Sequence, residues 1–240
     1  MFNPDKINEM DTFTGQYKQD KKYFFSMAKK DKVDFVYNTS ALEGNAMTYP
    51  EVQTLLEGIT VGGHKLSDEQ QVLNQNRSVN LLFDMIEKSF FSITKKTLCD
   101  LHFEVAKDEA LTWGVFRNAN VNIGGTEYIP PNFKDLDTIF EEGLQKLEQV
   151  KDPILKALTY FLFGARTQLF FDGNKRTSRL MMNGILLNEG LPILNIKAKD
   201  KLEFNREMIA FYDSEDYNKA LEYLSKYYHK QNQHMSLNNG

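Results

Sequence analysis

The sequence holds one cysteine, Cys99, which excludes an internal disulfide. Cys99 stands in the apolar pattern Leu98-Cys99-Asp100-Leu101 and reads as a small buried hydrophobe. There is no run of about 18 apolar residues, so no membrane-spanning helix is expected. Met1 to Asp20 is polar and lacks the apolar stretch of a secretory signal. A cytoplasmic setting is the expectation, with export by an unusual signal left open. An excess of positive charge is missing too. The net charge is -4 and the pI about 5.7, which argues against wholesale nucleic-acid binding but allows a local basic site. No internal repeat occurs, and no linker is long enough to separate domains.

What is present is the balance of an ordinary globular chain, 41% hydrophobic and 26% charged over 240 residues. That length can bury a sizeable core. Residues 1–20 offer few apolar anchors and read as a loosely tied arm. Lys21 to Asn38 reads as an amphipathic surface helix through Tyr23, Phe24, Met27, Phe35 and Val36. Gly44 and Asn45 suit a left-handed helix end. Thr48-Tyr-Pro-Glu51 opens the next helix with a capping box and an early proline. Helical spacing follows over 68–88 and 94–106. Trp113 to Pro131 differs: apolar residues flank Gly124-Gly125, which predicts a short hairpin or flap closed by Pro130-Pro131. Helices are expected again over 135–150, 153–168, 176–188, 201–212 and 216–230, before a polar tail. The run Leu155 to Phe163 is apolar nearly all round and predicts a central buried helix. The fold class expected is all-α with one small β flap.

The densest chemistry lies in Gln168-Leu-Phe-Phe-Asp-Gly-Asn-Lys-Arg-Thr-Ser-Arg179. Arg176 and Arg179 stand three apart and share a helix face. Cations at a helix N-terminus oppose the positive end of its dipole, at a cost of about 0.3–1 kcal/mol each. That placement makes sense if an anion sits there, and the N–H groups of Gly173 and Asn174 can reach the same anion. Asp172 adds the single carboxylate that commonly holds magnesium beside phosphates. Spacing alone supports an exposed, charged helix start equally well.

Phe170-x-Asp172-Gly173-Asn174-x-Arg176-x-x-Arg179 strongly resembles the signature of Fic-domain proteins (filamentation induced by cAMP). Gly114-Val-Phe-Arg117, Val121-Asn-Ile-Gly-Gly125 and Ile129-Pro-Pro131 resemble the segment leading into that family's substrate-docking flap. Thr39-x-x-x-Glu43-Gly44 resembles its inhibitory motif, placed as in the branch with an N-terminal inhibitory helix. The resemblance covers about residues 35–230. It implies a helical bundle around a motif-bearing helix pair, divided as arm 1–34, inhibitory helices 35–110, Fic core 111–230 and tail 231–240. It implies ATP and Mg2+ as the small molecules bound. Asp172 would hold magnesium, and Gly173 and Asn174 would form the anion hole. Lys175 and Arg176 would contact phosphate, and Arg179 would take the γ-phosphate. Glu43 would compete for Arg179, since a carboxylate can occupy the same guanidinium fork. A target protein would dock on the flap at Ile123, Gly124, Gly125, Tyr128 and Ile129 by strand addition. Asp213 lies near where some relatives place an adenine-contacting asparagine. A homodimer is an option, and neither nucleic acid nor membrane is expected as partner.

Two departures bear on activity. Gln168 occupies the position of the family's catalytic histidine, which takes the proton from the attacking hydroxyl. An amide can orient a hydroxyl but cannot accept its proton. His64, His102, His229 and His234 are not placed to substitute. Lys175 replaces a glycine, as in the Doc branch, whose members resemble kinases. Three readings follow: a protein adenylyltransferase restrained by Glu43 and impaired at Gln168, a non-catalytic ATP-binding module, and a Doc-like phosphotransferase. AMP removal is set aside because it too uses the motif histidine.

Overall fold

A computed structural model describes residues 1–237. Eleven α-helices make up most of the regular structure of these residues, with four short 3-10 turns between and after them: α1 Pro4–Asn8, α2 Lys21–Lys30, α3 Lys32–Leu42, α4 Tyr49–Leu56, α5 Leu66–Glu87, α6 Lys95–Ala106, α7 Leu136–Glu148, α8 Pro153–Thr167, α9 Asn174–Asn188, α10 Lys201–Ser214 and α11 Tyr217–Asn232. The all-α class is observed.

The centre is the helical hairpin of α8 and α9. Asp152 caps α8 by accepting the Leu155 N–H at 2.9 Å, and Pro153 fills its first turn. From Ile154 to Ala165 every residue of α8 except Lys156 is buried. α9 is equally enclosed over its whole middle. The two helices touch at Gly164, where a Cβ would stand 2.4 Å from the Ser178 hydroxyl. α11 packs on α8, while α5 and α6 pack on α9 and α3 packs on α5. The buried core is continuous from Phe2 to Tyr228, across the segment boundaries at 34/35 and 110/111.

Four expectations are corrected. No strand occurs among the described residues, so the flap is not a β-hairpin. Residues 118–131 make no backbone–backbone hydrogen bond. Side chains hold this segment instead, and Pro130 and Pro131 have no N–H to give to a ladder. The first twenty residues are not loose: Phe2, Ile7 and Tyr17 are buried. The single helix expected over 21–38 breaks at Asp31, where α2 ends and α3 starts. Finally, α11 runs on to Asn232 and a short 3-10 turn covers Gln233–Met235, so the tail is structured there. The rest of the expected tail, 238–240, lies outside the described residues.

Candidate nucleotide site

The loop between α8 and α9 builds the site. Gln168 ends α8 in the left-handed region, φ 52°. Gly173 opens α9 at φ 75°, a conformation that favours glycine, and a Cβ there would crowd Val105 Cγ1 at 3.1 Å. Asn174 ties the loop together: its Oδ1 accepts the Phe170 N–H at 2.9 Å. Its Nδ2 donates to the Phe170 carbonyl at 2.8 Å and to Gln168 Oε1 at 3.0 Å. Gln168 Nε2 in turn donates to the Ala165 carbonyl at 2.6 Å.

Two side chains outside the motif brace this loop. His102 of α6 is fully buried and stacked on Phe170, centroids 3.6 Å apart. Its Nδ1 accepts the Gly114 N–H at 3.0 Å, so Nε2 carries the proton and donates to the Asp172 carbonyl at 3.0 Å. Burial holds the His102 imidazole down at about 4, which keeps it neutral. It is a brace, not a spare base. Arg117 donates from Nε to the Gln168 carbonyl at 2.7 Å, and from its NH1 and NH2 groups to the Ala119 and Pro131 carbonyls at 2.8 and 2.5 Å. It therefore ties the flap segment to the motif loop.

The loop opens on a pocket of about 360 Å³. Asp172, Gly173, Asn174, Lys175 and Arg176 form one wall, and Asn122, Ile123 and Gly124 of the flap segment another. The far wall is one face of α10: Asn205, Met208, Ile209 and Tyr212. Asp213 points elsewhere, accepting a hydrogen bond from Thr126. Tyr128 lies apart from the pocket, with the Arg166 guanidinium 3.8 Å over its ring, and Ile129 is 77% exposed.

Each cation of the motif has a carboxylate. Glu43, at the end of α3, reaches Arg179 at 2.5 Å and Lys175 at 3.1 Å. Burial favours the neutral Glu43 carboxyl, but the charges of Arg179, Lys175 and Arg176 outweigh it and hold the group at about 2. Arg176 is buried and pairs with Glu109 at 2.8 Å, with Asp172 more distant at 3.9 Å. Glu109 is fixed on its other oxygen by Asn74 Nδ2 at 2.5 Å. Arg179 is 1% exposed, and its Nε and NH1 have no partner. Such orphaned donors are costly and suit a site that receives an anion. Thr39 is buried in α3, and Gly44 follows Glu43 at φ 97°.

Magnesium fits Asp172. One oxygen accepts the Gly173 N–H at 2.5 Å, and the side chain is 65% exposed. No group of three metal-ligating His, Cys, Asp or Glu occurs among the described residues. That suits a hard cation taking one carboxylate and completing its shell with phosphate oxygens and water.

Sequence reasoning missed His102 as a brace, Glu109 as the partner of Arg176, and the α10 wall. Only the last left a signal, the helical spacing of 205, 208, 209 and 212.

The chain is an all-helical bundle with a glycine-opened, cation-rich loop on its central hairpin, an arrangement that suits an anion. Residues 92–186 match the model of the Fic/DOC family. The chain is 28% identical over 183 residues to "Protein adenylyltransferase Fic" of Culex quinquefasciatus, 73% of this chain and 36% of the relative. It is 27% identical over 185 residues to the protein of the same name in Drosophila sechellia, 74% of this chain and 37% of the relative. The chain thus spans little more than a third of these relatives' length. In fold it is similar to Fic-1 from C. elegans, with a TM-score of 0.77 at 18% identity, covering 97% of this chain and 68% of that one. A Fic domain containing signaling protein from Bacteroides thetaiotaomicron VPI-5482 gives 0.71 at 21% identity, covering 89% and 87%. Among the described residues, no helix is long and apolar enough to cross a membrane.

Proposed function

We propose that this chain is a Fic-type protein adenylyltransferase framework, restrained by Glu43 and lacking its general base. It binds magnesium-ATP and is organised to transfer AMP to a protein. The observation that carries this reading is the Glu43 carboxylate bridging Arg179 and Lys175 at the pocket edge, from 136 residues away. A nucleotide's terminal phosphate needs the same guanidinium, so Glu43 and that phosphate exclude one another. The unpartnered Nε and NH1 of Arg179 support a further anion there. Magnesium at Asp172 supplies charge neutralisation on the phosphates. Gly173, Asn174 and the first-turn N–H groups of α9 hold the α- and β-phosphates. The α10 face of Met208, Ile209 and Tyr212 gives an apolar wall for the base. The main chain of residues 120–127, which makes no backbone–backbone hydrogen bond, suits an extended target segment that adds as a strand.

A second reading, a non-catalytic ATP-binding module, is favoured by Gln168. Its amide is held at both ends, by Ala165 and Asn174, and cannot accept a proton. The Doc-like alternative rested on Lys175, which here pairs with Glu43. The test uses ATP labelled at the α- or the γ-phosphate. Glu43→Gly should raise α-label incorporation into protein, and Gln168→His should raise it further by on the order of 10²–10⁴. Absence of α-label from the double variant, with ATP still bound, leaves the binding module. Transfer of γ-label alone would select the phosphotransferase.

A further inference from the structure

Gln168 and Lys175 are the two positions where the site departs from the pattern it otherwise keeps, and both departures favour the same kind of acceptor. The orientation of the Gln168 amide is set by a backbone group. The Phe170 N–H must donate, so Asn174 presents Oδ1 to it and Nδ2 to Gln168. Gln168 therefore turns Oε1 to Asn174 and Nε2 to the Ala165 carbonyl. An amide nitrogen has two hydrogens. One serves Ala165, and the other is uncommitted in a residue that lines the pocket. The position that a base would occupy thus offers an N–H donor. A donor stabilises an acceptor that is already anionic and does nothing to deprotonate a hydroxyl. Lys175, 30% exposed, lines the same pocket and adds a cation to it. With Glu43 withdrawn, that cation is free to offset one more negative charge among the phosphates.

We infer that the acceptor served by this site is a carboxylate, one that is ionised at neutral pH and needs no base. The inference rests on the AMP-transfer reading given above. A carboxylate oxygen attacks the α-phosphorus of ATP and forms a new O–P bond. The bond from that phosphorus to the bridging oxygen of the β-phosphate breaks, and pyrophosphate leaves with the electron pair. The product is a mixed carboxylic–phosphoric anhydride. No proton is moved and nothing is oxidised or reduced. Gln168 orients the carboxylate through its free N–H, and Lys175 offsets its charge.

The experiment uses the full chain carrying Glu43→Gly, with Gln168 kept or changed to His, in magnesium and α-labelled ATP. Acceptors are matched extended peptides with a central Asp or Glu, or a central Ser, Thr or Tyr, and acetate as a small carboxylate. With Gln168 kept, label is expected only on carboxylates and is released by neutral hydroxylamine, which cleaves the anhydride but not a phosphodiester. Label on peptides assigns a protein side chain, and label on acetate alone assigns a small carboxylate. The rate should be flat from about pH 5.5 upward, because a carboxylate titrates near 4. Gln168→His should add the hydroxyl peptides, with a rise centred near pH 6.5. Lys175→Ala should lower the carboxylate rate of the protein that keeps Gln168. Hydroxylamine-resistant label with Gln168 kept overturns the inference. So does label appearing only after Gln168→His and only on hydroxyls, an outcome that leaves AMP transfer standing. No label from either protein on any acceptor overturns both.

Discussion

Removing Glu43 should strip a buried arginine of its one partner. Arg179 is 1% exposed, two of its nitrogens are already unpaired, and the third rests on Glu43 at 2.5 Å. The Glu43 carboxyl falls from an ordinary 4.5 to about 2 in the folded chain. At about 1.4 kcal/mol per pH unit, the ionised form is stabilised by roughly 3 kcal/mol relative to the unfolded chain. Breaking a buried pair by deleting one member costs about 3–5 kcal/mol, which agrees. For a chain of this size each kcal/mol is about 2–4 °C in melting temperature. Glu43→Ala should therefore lower the midpoint by roughly 6–20 °C without nucleotide. Replacing both members, Glu43→Ala with Arg179→Met, should recover most of that loss, because no unpaired charge remains. Thermal and urea unfolding of the wild type and three variants, including Arg179→Met alone, give the comparison. A Glu43→Ala protein within about 1 kcal/mol of wild type, or a double variant less stable than the single, would refute the reasoning.

Acid should act in two windows. His102 has its folded value depressed to about 4 from 6.5, so its contribution is complete above pH 6.5 and is lost as pH falls towards 4. About 3 kcal/mol should go in that interval, and His102→Phe should flatten the slope measured by urea unfolding. Glu43 is likewise depressed, so its contribution persists above pH 4.5 and is lost as pH falls towards 2. Gly164→Ala, at the close approach of α8 and α9, should destabilise by about 1–3 kcal/mol in equilibrium unfolding, and Ser178→Ala should restore part of it. Lys201 donates to the Ala41 carbonyl at 2.9 Å, near the end of α3. Lys201→Ala should loosen Glu43 and tighten ATP binding by a few-fold in calorimetry, from the loss of a bond of about 1 kcal/mol.

The helices were legible because their signals are local. Thr48 and Glu51 form the expected capping box of α4, and Gly44 takes the positive φ expected after α3. The apolar run 155–163 is the buried middle of α8. What the sequence hid depends on distance along the chain or on packing. Nothing near Asp31 marks a break, since no glycine or proline stands there. The turn comes from α2 and α3 packing on different partners, α9 and α5. Phe2, Ile7 and Tyr17 follow no helical or strand period, so their docking was not readable. The flap carried a turn signal at Gly124-Gly125, yet its partners are side chains such as Arg117, and the ladder never forms. In the site, the cation-rich helix start was readable from its own residues. The roles of His102 and Glu109 were not, because their partners lie 70 and 67 residues away.

The central claim is that Glu43 and the terminal phosphate of a nucleotide compete for Arg179. Calorimetric titration of magnesium-ATP and magnesium-ADP into wild type, Glu43→Gly and Glu43→Gly with Arg179→Ala tests it directly. The account predicts equal affinity for the two nucleotides in wild type, a preference for ATP in Glu43→Gly, and loss of that preference in the double variant. The same ATP-to-ADP ratio in all three proteins would contradict it.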